Sequence, residues 1–150
     1  MVGAFFGLVG LGAAVLGFGW PGASSRAGNG KEPDRIAPGR RIYAERCAAC
    51  HGAKLEGQPD WQSRRADGRL PAPPHDATGH TWHHPDAQLI ELTRKGLTGF
   101  LPGYESDMPA FEGVLTEQEI AAVIAFIVST WPAEIRHLRE ERLGTTGSRS

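Results

Sequence analysis

Between Thr116 and Pro132 the apolar positions fall at Ile120, Val123, Ile124, Ile127, Val128 and Trp131. Steps of three and four put them on one face of a helix. Thr116 and Glu119 have capping-box spacing ahead of that face, and Pro132 closes it. Ala121, Ala122 and Ala125 leave smooth patches where another helix can cross closely. An earlier stretch, GRRIYAERCAAC, sets Gly39, Ile42, Tyr43, Arg46 and Cys47 at the same period. Pro38, with fixed φ and no amide to waste, suits a first helical position, so a helix is expected from about Pro38 to Cys50. A third helix, DAQLIELTRKG, opens at Pro85-Asp86. Asp86 suits its positive end, Arg94 and Lys95 its negative end, and Gly96 a left-handed stop.

No strand alternation accompanies these helices, so the fold class is all-α. Residues 52–84, rich in Pro, Gly, Trp and His, and residues 97–115 are expected as two long loops. Loops of that length inside a compact domain need a reason. Three short helices also make a thin core, so something large and apolar must fill the middle.

The two ends differ from this pattern. Met1 to Trp20 carries no charge, with a length between a cleavable signal and a membrane span. Residues 1–21 are expected as a signal peptide or transmembrane anchor, and either carries the rest across a membrane. Six glycines make a buried core helix a poor alternative. Residues 22–32, small and polar, read as a flexible linker. The working domain is expected over 33–133, with a polar, frayed tail over 134–150.

Composition narrows the class. Net charge is −1 over 150 residues, with 22% charged and 40% apolar. No basic field exists to hold nucleic acid. Twenty glycines and eleven prolines agree with shaped loops.

The chemistry sits in CAACHG, residues 47–52, which holds both cysteines of the chain. Cys-x-x-Cys-His is the attachment signature of a c-type haem. Two thiols three positions apart straddle the edge of a macrocycle and form thioethers with its vinyl groups. The next residue then points its imidazole at the iron. The rivals are weaker. A thioredoxin-like pair needs a βαβ setting, zinc needs two more ligands at finger-like spacing, and a Cys-x-x-Cys disulfide is usually redox-active.

The iron needs a sixth ligand or an open position. Apart from Met1, the sole methionine is Met108, in the loop sequence SDMPAF. A methionine followed by proline in a loop is poorly placed for helix packing, whereas a thioether is a soft donor suited to haem iron. Pro109 would stiffen that loop.

GRRIYAERCAACHG, GQPDW, DMPAF and EQEIAAVIAFIVSTWP together resemble the class I, mitochondrial-type c cytochromes, over about Pro33 to Ala133. The resemblance implies a cytochrome c fold: three main helices and long loops wrapped around one covalently bound haem. It implies cofactor binding by Cys47, Cys50, His51 and Met108, with His51 and Met108 on the metal. It implies that the first and last helices cross near-perpendicularly at Gly39, with Tyr43 and Phe126 beside the crossing. It also implies a proline carbonyl that accepts from the His51 ring. Pro59 in GQPDW is the best match, with Pro71, Pro73 and Pro74 competing. The chain departs from the pattern in PAPPHDATGHTWHHPD, which carries His75, His80, His83 and His84. These are expected to line a loop over the haem edge, contacting propionates or solvent, with Trp82 on the ring. The alternative is a second metal such as copper, or competition for the iron. Trp61 and Tyr104 are expected as pocket walls, and Arg64 and Arg65 as a solvated pair or as propionate partners.

The functional expectation is a monohaem electron carrier, not an enzyme, on the periplasmic side of a bacterial membrane. Residues 2–20 are removed or act as a tether. Its partners would be redox proteins, a donor and an acceptor. The alternatives are a fixed haem subunit of a larger oxidoreductase, or a ligand-binding haem protein if Met108 leaves the iron free.

Overall fold

The computed structural model describes residues 32–147; the segment expected as signal or anchor (1–21) and all of the expected linker (22–32) but Glu32, which opens the first helix, lie outside the described residues. The elements run in the order α1 (Glu32–Arg46), α2 (Ala48–His51), a 3-10 turn (Thr81–His83), α3 (Asp86–Phe100), α4 (Glu117–Thr130) and α5 (Ala133–Gly147). No strand occurs among the described residues, as the sequence pattern requires.

α1 packs chiefly on α4, and Gly39 makes that crossing possible. A Cβ built there would lie 1.9 Å from the Ala122 carbonyl oxygen, so only a glycine lets the two backbones meet. Tyr43 and Phe126 pack beside the crossing with ring centroids 5.5 Å apart. The apolar face of α4 buries Ile120, Val123, Ile124 and Ile127, and Trp131 ends the stripe at 2% exposure. Ile42, Tyr43, Leu55 and Leu89 complete the cluster from the other elements. The α4 cap is a full capping box: the Thr116 hydroxyl accepts from Glu119 N–H, and the Glu119 carboxylate accepts from Thr116 N–H.

Three boundaries differ from the sequence reading. Pro38 lies inside α1 and does not open it, because the helix extends upstream to Glu32. An interior proline removes one backbone bond, and the packing of α1 on α4 tolerates that loss. Gly96 does leave helical geometry, at φ 68°, but a further turn carries α3 on to Phe100. The tail expected to fray after residue 133 is helical as α5. It is held by the Arg139 guanidinium, which donates to the His84 carbonyl at 2.9 Å and to the Asp86 carboxylate at 2.5 Å. Those partners are distant in sequence, so no local signal announced them. No helix among the described residues is long and apolar enough to cross a membrane.

Candidate haem-binding site

α1 hands its helical bonding directly to the CAACH segment. Cys47 N–H donates to the Tyr43 carbonyl at 2.9 Å, and Cys50 and His51 N–H both donate to the Cys47 carbonyl. The segment is therefore one tight turn, with both thiols and the imidazole fixed relative to α1. Gly52, at φ 81°, ends it. Buried Tyr43 braces the exit: its hydroxyl donates to the Gly52 carbonyl at 2.8 Å and lies 3.3 Å from that of His51. Burial first, then the nearby Cys47, Glu56 and Asp76, push its phenol well above the usual range. It stays neutral and keeps its proton to donate.

Cys47 and Cys50 form no disulfide with each other. Burial first, then the neighbouring Cys50, push the Cys47 thiol up to about 11. A redox-active pair needs the opposite, a thiol depressed toward neutrality so that the thiolate attacks. The βαβ setting of a thioredoxin-like pair is also missing, since no strand occurs among the described residues.

The loop after Gly52 folds back on the histidine. Gly57 N–H reaches the His51 carbonyl at 2.8 Å, Gln58 N–H the Ala72 carbonyl at 2.9 Å, and His75 N–H the Leu55 carbonyl at 2.8 Å. The Gln58 side chain returns a bond to Ala72 N–H. This ladder places the Pro73 carbonyl 2.9 Å from His51 Nδ1. Pro73, not Pro59, is therefore the partner of the ring. GQPDW suggested Pro59 by its place in the chain, but pairing of residues 57–58 with 51 and 72 turns the next segment inward instead. A carbonyl at Nδ1 fixes the tautomer with the proton there and leaves Nε2 with its lone pair for a metal. Burial lowers the affinity of this ring for a second proton, and the Pro73 carbonyl opposes that only in part.

Met108 stands on a different wall. A Cβ at Gly96 would lie 2.9 Å from Ala110 N and 3.1 Å from the Met108 carbonyl oxygen. The positive φ and missing side chain of Gly96 thus let the Met108-Pro109-Ala110 backbone lie directly on α3. Phe111 and Glu112 N–H groups bind the Arg94 carbonyl just beyond. From the other side Arg65 and Arg69 each reach one oxygen of Asp107 at 2.6 Å, and Arg64 lies over the Tyr104 ring at 5.4 Å. Arg65 is thus engaged with Asp107 while remaining, like Arg64, exposed to solvent. These ion pairs are more than 40% exposed, so solvent and salt screen them. Asp107→Asn should leave the fold intact and speed entry of exogenous ligands. Stopped-flow carbon monoxide binding at low and high salt measures this; in high salt the native protein should approach the variant.

The histidine-rich segment forms one pair of histidine rings, His80 edge-on to His84 with centroids 5.7 Å apart, and otherwise turns to separate partners. His80 stacks on Trp61 at 5.5 Å, His83 lies edge-on to Trp82 at 4.0 Å, and His84 Nδ1 is 3.2 Å from the Gln88 side-chain oxygen. Among the described residues no three His, Cys, Asp or Glu side chains gather as a metal site. His75 faces inward, onto His51.

The donor set fits a c-type haem: two cysteines on one turn, an imidazole with Nδ1 tied to a carbonyl, and a thioether on a braced loop. A helical domain built around such a turn is a haem-binding electron-transfer domain. Its residues 36–131 match the family model described as Cytochrome c, and the chain belongs to that family. Its cofactor is haem c, covalently held, and Cys47 and Cys50 fit the attachment motif. The chain is 33% identical over 78 residues to the cbb3-type cytochrome c oxidase subunit CcoP of Azospirillum sp. (strain B510), covering 51% of this chain and 25% of that protein. It is 33% identical over 95 residues to the subunit FixP of Bradyrhizobium sp. (strain ORS 278), covering 62% and 27%. The matches thus span about a quarter of each curated relative. No solved structure matches the chain.

Proposed function

We propose that the protein is a monohaem electron carrier in which Cys47 and Cys50 attach the haem, and His51 and Met108 ligate its iron. The observation that carries this reading is the His51–Pro73 bond within the CAACH turn, which presents Nε2 as a ligand. When bound, the haem supplies an iron that gains and loses one electron. The chain's own residues hold the ring edge, fix the imidazole and keep the thioether loop closed, so little needs to reorganise. Replacement of Met108 tests the sixth ligand. Met108→Ala should open the iron to carbon monoxide and lower the reduction potential, because a thioether favours the reduced metal. Met108→His should keep six ligands and still lower the potential. An unchanged potential in both would remove Met108 from the iron.

The domain is placed on the periplasmic side, with residues 2–20 removed or serving as a membrane tether. The uncharged run from Met1 to Trp20 supports this. N-terminal sequencing of the mature protein decides between the two. A start near Gly28 in a soluble periplasmic fraction rules out the tether, and an intact Met1 in a haem-loaded membrane fraction supports it.

A second reading is favoured by the relatives, both named as subunits of a cytochrome c oxidase. Here the same haem chemistry would serve a fixed subunit of a larger oxidoreductase. A stoichiometric partner retained after mild detergent extraction supports this second reading; a haem domain that elutes alone supports the carrier.

A further inference from the structure

His51 is held by more than its bond to Pro73. The His75 ring lies face to face with it, centroids 4.0 Å apart and planes 22° apart. His75 is itself fixed at every polar point that the backbone and Nδ1 offer. Its N–H donates to the Leu55 carbonyl at 2.8 Å, and its carbonyl accepts from the Trp131 indole at 2.7 Å. Its Nδ1 is 2.8 Å from the hydroxyl of Thr81, which is 5% exposed in the 3-10 turn. Tyr43 stands edge-on to it with centroids 6.4 Å apart.

A single hydrogen bond at Nδ1 sets the tautomer but leaves an imidazole free to swing about the axis through Nε2. A flat, immobile ring against one face removes that freedom on one side. A histidine does this better than an aliphatic residue, because the Thr81 hydroxyl locks the rotation of the plate itself. We infer that His75, anchored by Thr81, is a positioning residue that sets the plane of the His51 imidazole. This rests on the reading that His51 binds the iron.

The plane of an axial imidazole governs how unpaired spin spreads over the four quadrants of a low-spin oxidised haem. It is therefore read directly from the haem methyl proton shifts and the electron paramagnetic resonance g values of the oxidised holoprotein. These observables report the orientation of the iron's ligands and not the stability of the domain. Thr81→Val keeps the side-chain shape and removes the anchor. It should redistribute the four methyl shifts and move the largest g value, with haem content and the Met108-dependent far-red absorption band unchanged. His75→Ala should do the same more strongly, while His75→Phe, which keeps a flat ring, should stay nearer the native pattern. Native methyl shifts and g values in haem-loaded Thr81→Val, or in haem-loaded His75→Ala, overturn the inference. An unmodified protein whose iron signal is not that of an imidazole-ligated low-spin centre overturns the His51 assignment first, and this inference with it.

Discussion

A chain carrying Cys47→Ala and Cys50→Ala should accumulate without attached haem and largely unfolded. The buried hydrophobic set is small: Ile42, Tyr43, Leu55, Leu89, Phe111 and the α4 stripe through Trp131. The stretch between His51 and the 3-10 turn carries no helix and is shaped by turns and single backbone bonds. Ordering that much irregular chain costs about 1–2 kcal/mol per residue in backbone entropy, and so small a core offsets little of it. A covalently held macrocycle supplies the missing interior and cannot be lost by dilution. Soluble yield should therefore fall about tenfold or more, because a domain of ordinary marginal stability cannot absorb such a loss. Acidified acetone applied to the denatured native protein should leave the colour with the polypeptide. The single variants, each with one thioether, should fall between. Haem that passes into the organic phase from the native protein contradicts covalent attachment, and a well-folded haem-free double variant contradicts the structural argument.

Gly39→Ala should be the most damaging glycine-to-alanine change among the described residues. In an isolated helix the substitution would help by about 1 kcal/mol. Here the new methyl carbon would lie 1.9 Å from the Ala122 carbonyl oxygen and 2.4 Å from its carbon. Both are backbone atoms in the middle of α4, so no side-chain rotation relieves the clash, and α1 must move off α4. Overpacking costs about 1–3 kcal/mol when side chains can adjust, and this site should reach or exceed the top of that range. Equilibrium urea titration of the ferric holoprotein measures it as a lower midpoint at unchanged slope. Gly39→Val should be worse. A midpoint raised by either would mean that helix propensity wins and that the crossing is looser than this geometry.

The sequence carried the parts of the site that lie close together along the chain. CAACH at the end of an amphipathic helix and the capping box at Thr116 are local or periodic signals, and the Gly39 crossing was implied by the resemblance to the c cytochromes. The identification of the fold rests on them. Long-range backbone pairing was not legible. Pro73 was one of four prolines that could face His51, and only the ladder through Gly57, Gln58 and Ala72 decides among them. His75 read as one of four loop histidines, because nothing in HDATGHTWHH distinguishes the ring that turns inward. The spacing from His75 to Thr81 was the available hint. The helix after Pro132 was hidden for a similar reason. Its polar sequence predicts fraying, while Arg139 finds its partners on residues 84 and 86. The clasp of Asp107 by Arg65 and Arg69 joins two loops about forty residues apart, and charge pattern alone gives no register for it.

The account stands or falls on whether a thioether occupies the sixth position of a His51-bound iron, because that separates an electron carrier from a ligand-binding haem protein. The direct measurement is the far-red absorption of the oxidised native protein, followed by exposure of the reduced protein to carbon monoxide. His51/Met108 ligation predicts the weak sulfur-to-iron charge-transfer band, a low-spin reduced spectrum and slow, incomplete uptake of carbon monoxide. Absence of the band with immediate carbon monoxide binding would contradict it.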